Sequence, residues 1–231
     1  MIKENPFKKL TRFEWMLWIS SLSVILVSSL FSGTEGLLSG IASLIGVTAL
    51  IFIAKGMVLG QVMIIIFAVF YGIISFAFRY YGEVITYLGM SAPMALLALI
   101  SWIKNPFGDT AEVKIRERLT YKQITIGICG ALLVTLLFYF ILKELGNASL
   151  LVSTFSVTTS FFASYLVFLR SPHYALAYAI NDIVLIILWI IAATKDISCL
   201  SMVFCFIMFF INDLYGFYNW KIMQKKQSSV G

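Results

Sequence analysis

The segment SLIGVTALIFIAKGMVLGQ, residues 43–61, holds the end of one apolar stretch, a turn with Lys55, and the start of the next stretch. A second segment, TSFFASYLVFLRSPHYALA, residues 159–177, repeats this pattern, with Arg170 in place of Lys55. The offset of about 115 residues is typical of an internal repeat. The two segments therefore predict that the chain contains two copies of one unit.

Eight apolar stretches extend outward from these segments, and each is close to the roughly 20 residues that cross a bilayer as a helix. They are residues 13–31, 36–54, 60–78, 83–103, 121–142, 148–169, 174–194 and 198–220. With 61% hydrophobic and 12% charged residues among 231, the chain has too little polar surface for a soluble globule. We predict an all-α polytopic membrane protein with eight transmembrane helices.

The order of these helices predicts one extra helix followed by a parallel 3+1+3 repeat, because a single linker helix lets both units enter the bilayer in the same sense. The two units end alike, at the SWIKN of Trp102 and the YNWKI of Trp220. The loop between Lys104 and Lys122 is interpreted as a solvated cytoplasmic connector. The predicted parts are residues 1–35 (cytoplasmic N-terminus and extra helix), 36–103 (first three-helix repeat), 104–147 (cytoplasmic loop and linker helix), 148–221 (second three-helix repeat) and 222–231 (cytoplasmic tail).

The basic residues predict the orientation. Of 17 Lys and Arg residues, only Arg79, Lys143 and Lys195 fall on one side of the predicted membrane. Since positively charged loops stay in the cytoplasm, we expect a multi-pass protein of a bacterial plasma (inner) membrane with both termini cytoplasmic. The same bias accounts for the net charge of +6 and argues against nucleic-acid binding. Glu14 and Lys55 are expected to snorkel to the cytoplasmic face.

Polar side chains within the predicted spans are the candidates for a substrate site, because ionisable groups in a bilayer are costly and usually face a pathway. Tyr174, Tyr178 and Asn181 share one helix stripe, and aromatic faces beside amides suit a flat, polar, nucleoside-like solute. The rival interpretation is interhelical hydrogen bonding. The predicted substrate-binding residues are Gln61, Tyr71, Tyr174, Tyr178, Asn181, Asp182, Asn212, Asp213 and Tyr215.

The remaining aromatic residues and the cysteines are interpreted as structural. Residues close to predicted span edges are expected to form interfacial belts; these are Tyr80, Tyr81, Tyr87, Trp102 and Trp220. The cysteines, Cys129, Cys199 and Cys205, form no CxxC pair, so we predict no metal site and no disulfide. The sequence predicts no cofactor and no catalytic residue.

Three stretches carry a family resemblance: GLLSGIASLIGVTALIFIAKG (36–56), GEVITYLGMSAPMALLALISWIKN (82–105) and DLYGFYNW (213–220). With these, residues 13–223 resemble the PnuC family of bacterial vitamin transporters, which carry nicotinamide riboside. The resemblance implies a 3+1+3 arrangement like that of full-length SWEET-type sugar transporters, inserted with opposite topology. It also implies uptake driven by a cytoplasmic kinase that phosphorylates the solute.

One family motif is changed. Nicotinamide riboside transporters of the family carry WxxWxxxN, whose indoles are expected to sandwich the pyridinium ring. With its asparagine at Asn181, Tyr174 and Ala177 stand in the tryptophan positions, and Tyr178 lies one residue further on. Because related branches are thought to carry thiamine, riboflavin or deoxynucleosides, the substrate stays open.

The predicted function is a facilitator that takes up nicotinamide riboside, or a related nucleoside-like vitamin, by alternating access. A deoxynucleoside or thiamine transporter of the same family is the alternative, and an intramembrane aspartyl enzyme using Asp182 and Asp213 is a remote one. The chain has no P-loop, which argues against direct ATP drive, while proton coupling through the two aspartates stays open. No GxxxG stripe predicts a dimer or trimer, so a homo-oligomer also stays open.

Overall fold

The computed structural model describes residues 5–30, 33–77, 81–108, 110–147 and 149–229. Over these residues the structure is helical, and short 3-10 turns precede the first and last helices at Pro6–Lys9 and Ile197–Cys199. The α-helices are α1 (Arg12–Leu30), α2 (Gly33–Ala54), α3 (Val58–Ala77), α4 (Tyr81–Val84), α5 (Ala92–Ile103), α6 (Tyr121–Glu144), α7 (Leu150–Phe168), α8 (His173–Ala193) and α9 (Leu200–Ser228). A π-helical segment, Ile85–Ser91, joins α4 to α5 in one helical run.

The helices match the predicted apolar stretches one by one, which confirms an all-helical membrane protein. Among the described residues, six helical segments are long and apolar enough to cross a bilayer, and α2 and α3 contribute shorter apolar segments, Gly40–Ala54 and Val58–Ile73. The number of eight crossings stays a prediction. Large apolar side chains remain exposed along α6, as expected of a surface in contact with lipid; among them are Leu132, Leu133, Leu136, Leu137 and Phe140.

The beginning of α1 and the end of α9 lie at the same end of the bundle, which we call the terminal face. There the Lys55 ammonium lies 3.2 Å from a Glu14 carboxylate oxygen. Gln227 of α9 accepts a hydrogen bond from the Ile115 amide (2.8 Å) and donates one to the Val113 carbonyl (3.1 Å). The other end of the bundle is called the opposite face.

Two turns on the terminal face have the same backbone geometry. Gly56 after α2 and Arg170 after α7 both have positive φ, 64° and 59°. Their amides donate to Ile53 (2.8 Å) and Val167 (2.9 Å), the carbonyls three residues earlier. The register predicted for the repeat was therefore wrong by one residue, because Arg170 corresponds to Gly56 and not to Lys55. The two turns share a left-handed residue after the helix, and this geometry does not require a basic side chain at that position.

Trp102 and Trp220 are fully buried between these turns, so their assignment to an interfacial belt was wrong. The Trp220 indole donates to the Ile53 carbonyl (2.8 Å), and the Trp102 indole donates to the Val167 carbonyl (3.1 Å). Their ring centroids are 5.4 Å apart. Each carbonyl already accepts a turn amide, from Gly56 or Arg170, and the indole N–H occupies its second lone pair.

The loop between α5 and α6 is mostly exposed or half-buried, and two of its residues anchor it to the terminal face. Val113 and Ile115 are buried, while charged residues alternate with them. The loop amides also bind both turns: Val113 donates to the Gly56 carbonyl (2.9 Å) and Arg116 donates to the Arg170 carbonyl (3.0 Å). The alternation lets one edge of the loop close the bundle while the other edge faces solvent.

The extra helix α1 packs on α2 and α9 through polar contacts. Glu14 is only 1% exposed, so the prediction that it snorkels was wrong. Its carboxylate binds Lys55 and accepts a hydrogen bond from the Tyr215 hydroxyl (2.6 Å). A carboxylate can stay buried at this depth because a cation and a hydroxyl satisfy it.

Candidate functional site

A cavity of about 430 Å³ lies between α2, α3 and the α4–α5 run on one side and α7, α8 and α9 on the other. This volume is within the range of about 300–1,000 Å³ that is usual for small-molecule sites. The lining extends from Asn147 and Ser149, near the opposite face, to Ile53 and Val167. Trp102 and Trp220 bind the carbonyls of these last two residues, so the two indoles lie at the end of the cavity nearer the terminal face.

Most of the predicted substrate-binding residues meet in this cavity, although they come from three helices, α3, α8 and α9. The following line it: Gln61, Tyr71, Tyr174, Tyr178, Asn181, Asp182 and Asp213. All of them except Tyr178 are buried, and Tyr178 is half-buried. Tyr174, Tyr178 and Asn181 share one face as predicted, because α8 is a regular helix in which residues at these spacings align.

Asn212 and Tyr215 are placed elsewhere, and grouping them with Asp213 was wrong. The Asn212 amide donates to the Ser21 hydroxyl of α1 (2.9 Å), and the Tyr215 hydroxyl binds Glu14 of the same helix. Neither residue is among the described residues that line the cavity. Successive residues of a helix point about 100° apart, so Asp213 can face the cavity while Asn212 faces α1.

Neighbouring hydroxyls orient two of the cavity side chains. The Thr159 hydroxyl lies 2.8 Å from Asn181 Oδ1 and donates to it in this orientation of the amide; the same hydroxyl also lies within hydrogen-bonding distance of the Phe155 and Ser156 carbonyls. The hydroxyls of Tyr178 and Ser164 lie 2.7 Å apart. Asn181 is therefore held with its Oδ1 occupied, and the amide nitrogen is the group that it can offer to a ligand.

Asp182 and Asp213 lie side by side on α8 and α9, with their carboxyl groups within hydrogen-bonding distance of each other. Among the described residues, Asp182 Oδ2 and the amide nitrogen of Gln61 are buried without a hydrogen-bond partner. Buried polar groups are nearly always paired, so such atoms at a cavity wall indicate a ligand that is not present. The cavity can accordingly receive hydrogen bonds or positive charge at Asp182 and donate a hydrogen bond at Gln61.

Tyr87, Glu83 and Trp189 also line the cavity; the sequence predicts Trp189 on the α8 stripe and Tyr87 in an interfacial belt. The Tyr87 ring lies 4.5 Å from the Tyr71 ring, so placing Tyr87 in an interfacial belt was wrong. A stripe at i, i+4 and i+8 from Glu83 through Tyr87 to Ser91 is visible in the sequence and could have indicated this face.

A row of serines on α7 was missed entirely. Ser153, Ser156, Ser160 and Ser164 recur every three or four residues, and all of them line the cavity. In an otherwise apolar helix, this spacing places the hydroxyls on one face. The spacing is visible in the sequence, but serines are common at helix–helix contacts in membranes, so serine alone does not indicate a substrate site.

The described residues contain no group of three or more His, Cys, Asp and Glu side chains placed to hold a metal. The adjacent Asp182 and Asp213 have the proximity that an aspartyl enzyme needs, so geometry alone does not separate an enzyme from a transporter. Comparison with known proteins does.

Residues 36–222 match the model of a family described as "Nicotinamide mononucleotide transporter". A nicotinamide riboside transporter PnuC of Neisseria mucosa is 25% identical over 230 residues, which is 98% of this chain and 87% of that protein. One of Haemophilus influenzae is 24% identical over 212 residues, 91% of each chain.

A solved structure, described as the crystal structure of the vitamin B3 transporter PnuC, superposes with a TM-score of 0.78. The two sequences are 26% identical, and the match covers 94% of each chain. The family, the relatives and this fold are those of transporters. With the family model spanning most of its length, the chain belongs to the PnuC family of membrane transporters and is not an enzyme.

Proposed function

We propose that this chain takes up nicotinamide riboside, the solute named for its relatives in Neisseria mucosa and Haemophilus influenzae. The observation that carries the proposal is the cavity, where aromatic rings, the oriented Asn181 amide and unpartnered polar atoms converge. Tyr174 and Tyr178 would pack against the pyridinium ring in place of the two tryptophans of the family motif. Asn181 and Gln61 would donate hydrogen bonds to the ribose or the carboxamide, and the α7 serines would accept or donate further ones.

The transport mechanism that we propose is alternating access between two three-helix repeats, 36–103 and 148–221, around this cavity. The matching turns at Gly56 and Arg170, and the matching indole bonds of Trp220 and Trp102, support a parallel repeat with one linker helix. In such transporters the substrate lies between the repeats, which rock against each other. The conformation described here is closed at the terminal face.

We place the chain in a bacterial inner membrane with the terminal face toward the cytoplasm, as the distribution of Lys and Arg predicts. Released substrate would then be trapped by a cytoplasmic kinase, because a phosphate group adds negative charge that an acidic cavity disfavours. Transport through the chain itself would be passive in this scheme.

Uptake of radiolabelled nicotinamide riboside into vesicles that contain the purified protein tests the proposal. We expect saturable uptake that stops at equal concentrations, and continued accumulation when a nicotinamide riboside kinase and ATP are enclosed. Accumulation without a kinase that collapses with a protonophore would contradict passive transport, and absence of uptake would contradict the substrate.

Thiamine or a deoxynucleoside is a second candidate substrate, and a specific observation favours including it. Ala177 stands where the family motif has its second tryptophan, and Ala177 is not among the described residues that line the cavity. The second wall of the aromatic sandwich therefore falls to Tyr178, one residue beyond the position of the family's second tryptophan. Competition of thiamine, riboflavin and deoxynucleosides against labelled nicotinamide riboside in the same vesicles distinguishes these substrates.

A further inference from the structure

Two buried carboxyl groups of the cavity wall, Asp182 and Asp213, have no basic residue beside them in the described lining. They are 3% and 4% exposed. Among the described residues of the lining, none is Lys, Arg or His. Lys55, a half-buried cation at the end of α2, is bound to Glu14.

Two adjacent buried carboxyl groups cannot both be ionised without a compensating positive charge, since desolvation and mutual repulsion both oppose two carboxylates in contact; the pair therefore either takes up a proton or contacts a cation. The groups that face the pair from neighbouring elements are the phenols of Tyr87, Tyr174 and Tyr178 and the thiol of Cys205, none of which supplies one. Asp182 Oδ2 also lacks a hydrogen-bond donor among the described residues. The compensation has to come from outside the described lining.

We propose that Asp182 and Asp213 are specificity-determining residues that select a positively charged heteroaromatic substrate over an uncharged one of the same shape. The cationic ring lies against the tyrosines of α8 with its positive charge beside Asp182 Oδ2. When the cavity is empty, a proton compensates the pair instead. This inference rests on the proposed function of the cavity as the transport site, and it further proposes that the site selects its substrate by positive charge.

The test compares two ligands that differ in ring charge: nicotinamide riboside, a cation, and its reduced dihydro form, which is uncharged and nearly identical in size. Binding to purified full-length protein is measured by calorimetry for wild type, Asp182→Asn and Asp213→Asn. Asp196→Asn is the matched control. It removes one carboxylate from the α8–α9 connection outside the cavity, and asparagine can keep the cap that Asp196 makes with the Ser198 amide (2.9 Å).

We expect wild type to bind the cation at least about tenfold more tightly than the dihydro form, as an interaction with a buried charge provides. Each cavity variant should lose about tenfold in affinity for the cation and less than about twofold for the dihydro form. Retained binding of the dihydro form shows that the variant is folded, and the comparison in wild type needs no variant at all.

Equal affinity of wild type for both forms, or equal loss of both in the variants, overturns the inference and leaves nicotinamide riboside as the substrate. Two other outcomes distinguish a failure of the charge-selection inference from a failure of the proposed substrate. If neither form binds but thiamine, another cation, binds and loses affinity in Asp182→Asn, the proposed substrate fails and the charge selection stands. If only an uncharged deoxynucleoside binds, both fail.

Discussion

At the residue scale, the amide of Asn181 depends on a hydroxyl that does not line the described cavity. Thr159 donates to Asn181 Oδ1 at 2.8 Å, so the threonine acts as a positioning residue. We expect Asn181→Ala to abolish detectable binding of nicotinamide riboside. Thr159→Val should raise its Kd about threefold to tenfold, because the amide loses one orienting hydrogen bond worth about 1 kcal/mol. Calorimetry on both purified variants measures this.

The neighbouring residue Thr158 provides the control. Its hydroxyl lies 2.6 Å from that of Thr135 on α6, away from Asn181. Thr158→Val therefore makes the same chemical change one position away, and the Kd should stay as in wild type. Equal losses in Thr158→Val and Thr159→Val would show that α7 packing, and not the amide orientation, affects binding.

Two buried glutamines allow function and stability to be separated. Gln61 is 2% exposed and its amide nitrogen has no described partner, whereas Gln227 is 8% exposed and bonded at both ends. An unpaired buried donor costs about 1–3 kcal/mol. We expect Gln61→Met to raise the unfolding temperature and weaken substrate binding. Gln227→Met should lower the unfolding temperature and leave binding unchanged.

Thermal unfolding in detergent, followed by intrinsic fluorescence, measures the unfolding temperature. Calorimetry with nicotinamide riboside measures substrate binding. A Gln61→Met protein that is both less stable and fully able to bind would show that Gln61 has a structural partner. The opposite signs expected for the two glutamines make a general effect of methionine easy to recognise.

At the scale of the elements, the turn between α2 and α3 needs a left-handed residue in a crowded place. Gly56 has φ 64°, and a Cβ there would lie 2.9 Å from the Met223 methyl group and 3.5 Å from Val113. We expect Gly56→Ala to lower the free energy of unfolding by about 2 kcal/mol, from the left-handed backbone and the displaced side chains together. Chemical denaturation of the reconstituted protein measures the loss.

Gly108 is the matched position in the loop between α5 and α6. It has φ 54°, and a Cβ there would meet nothing within 4 Å. Gly108→Ala should therefore lower the free energy of unfolding by only about 1 kcal/mol, the contribution of the left-handed backbone. Equal losses at Gly56 and Gly108 would indicate that the contact with α9 contributes nothing.

At the scale of the whole molecule, the two buried indoles join the first helix of each proposed repeat to the last helix of the other. Trp220→Phe keeps an aromatic ring, although a smaller one, and removes the bond to the Ile53 carbonyl; Trp102→Phe does the same at Val167. If this layer closes the terminal face, both variants should open it more often. Labelling of a cysteine at Ser160 in the cavity by a water-soluble maleimide added on that face should become several times faster.

The experiment uses a background in which Cys129, Cys199 and Cys205 are replaced, with the maleimide added to vesicles from one face at a time. Trp18→Phe is the control, because the indole of Trp18 on α1 donates to the Thr48 hydroxyl of α2 (3.0 Å) and not to either of the carbonyls at Ile53 and Val167. Labelling from the terminal face that is unchanged in Trp220→Phe and Trp102→Phe would show that the indoles do not hold the cavity shut.

The sequence by itself determined the class of the protein and its span positions, because length and hydropathy suffice to define a helix that can enter a bilayer. It also identified most of the cavity stripe on α8, since a regular helix relates Tyr174, Tyr178 and Asn181 through its period alone. The family resemblance, carried by short motifs, was confirmed for the same reason: it depends on local chemistry that the sequence contains directly.

Only the tertiary structure decided which polar residues meet. Asp213 and Asn212 are adjacent in the chain, yet one faces the cavity and the other faces α1, and helix rotation is set by packing. The burial of Glu14 and of both tryptophans depends on partners up to 201 residues away. Within the apolar chain, hydropathy cannot distinguish a surface in contact with lipid from one in contact with protein. The fold therefore decides which neighbouring helix each polar side chain hydrogen-bonds to.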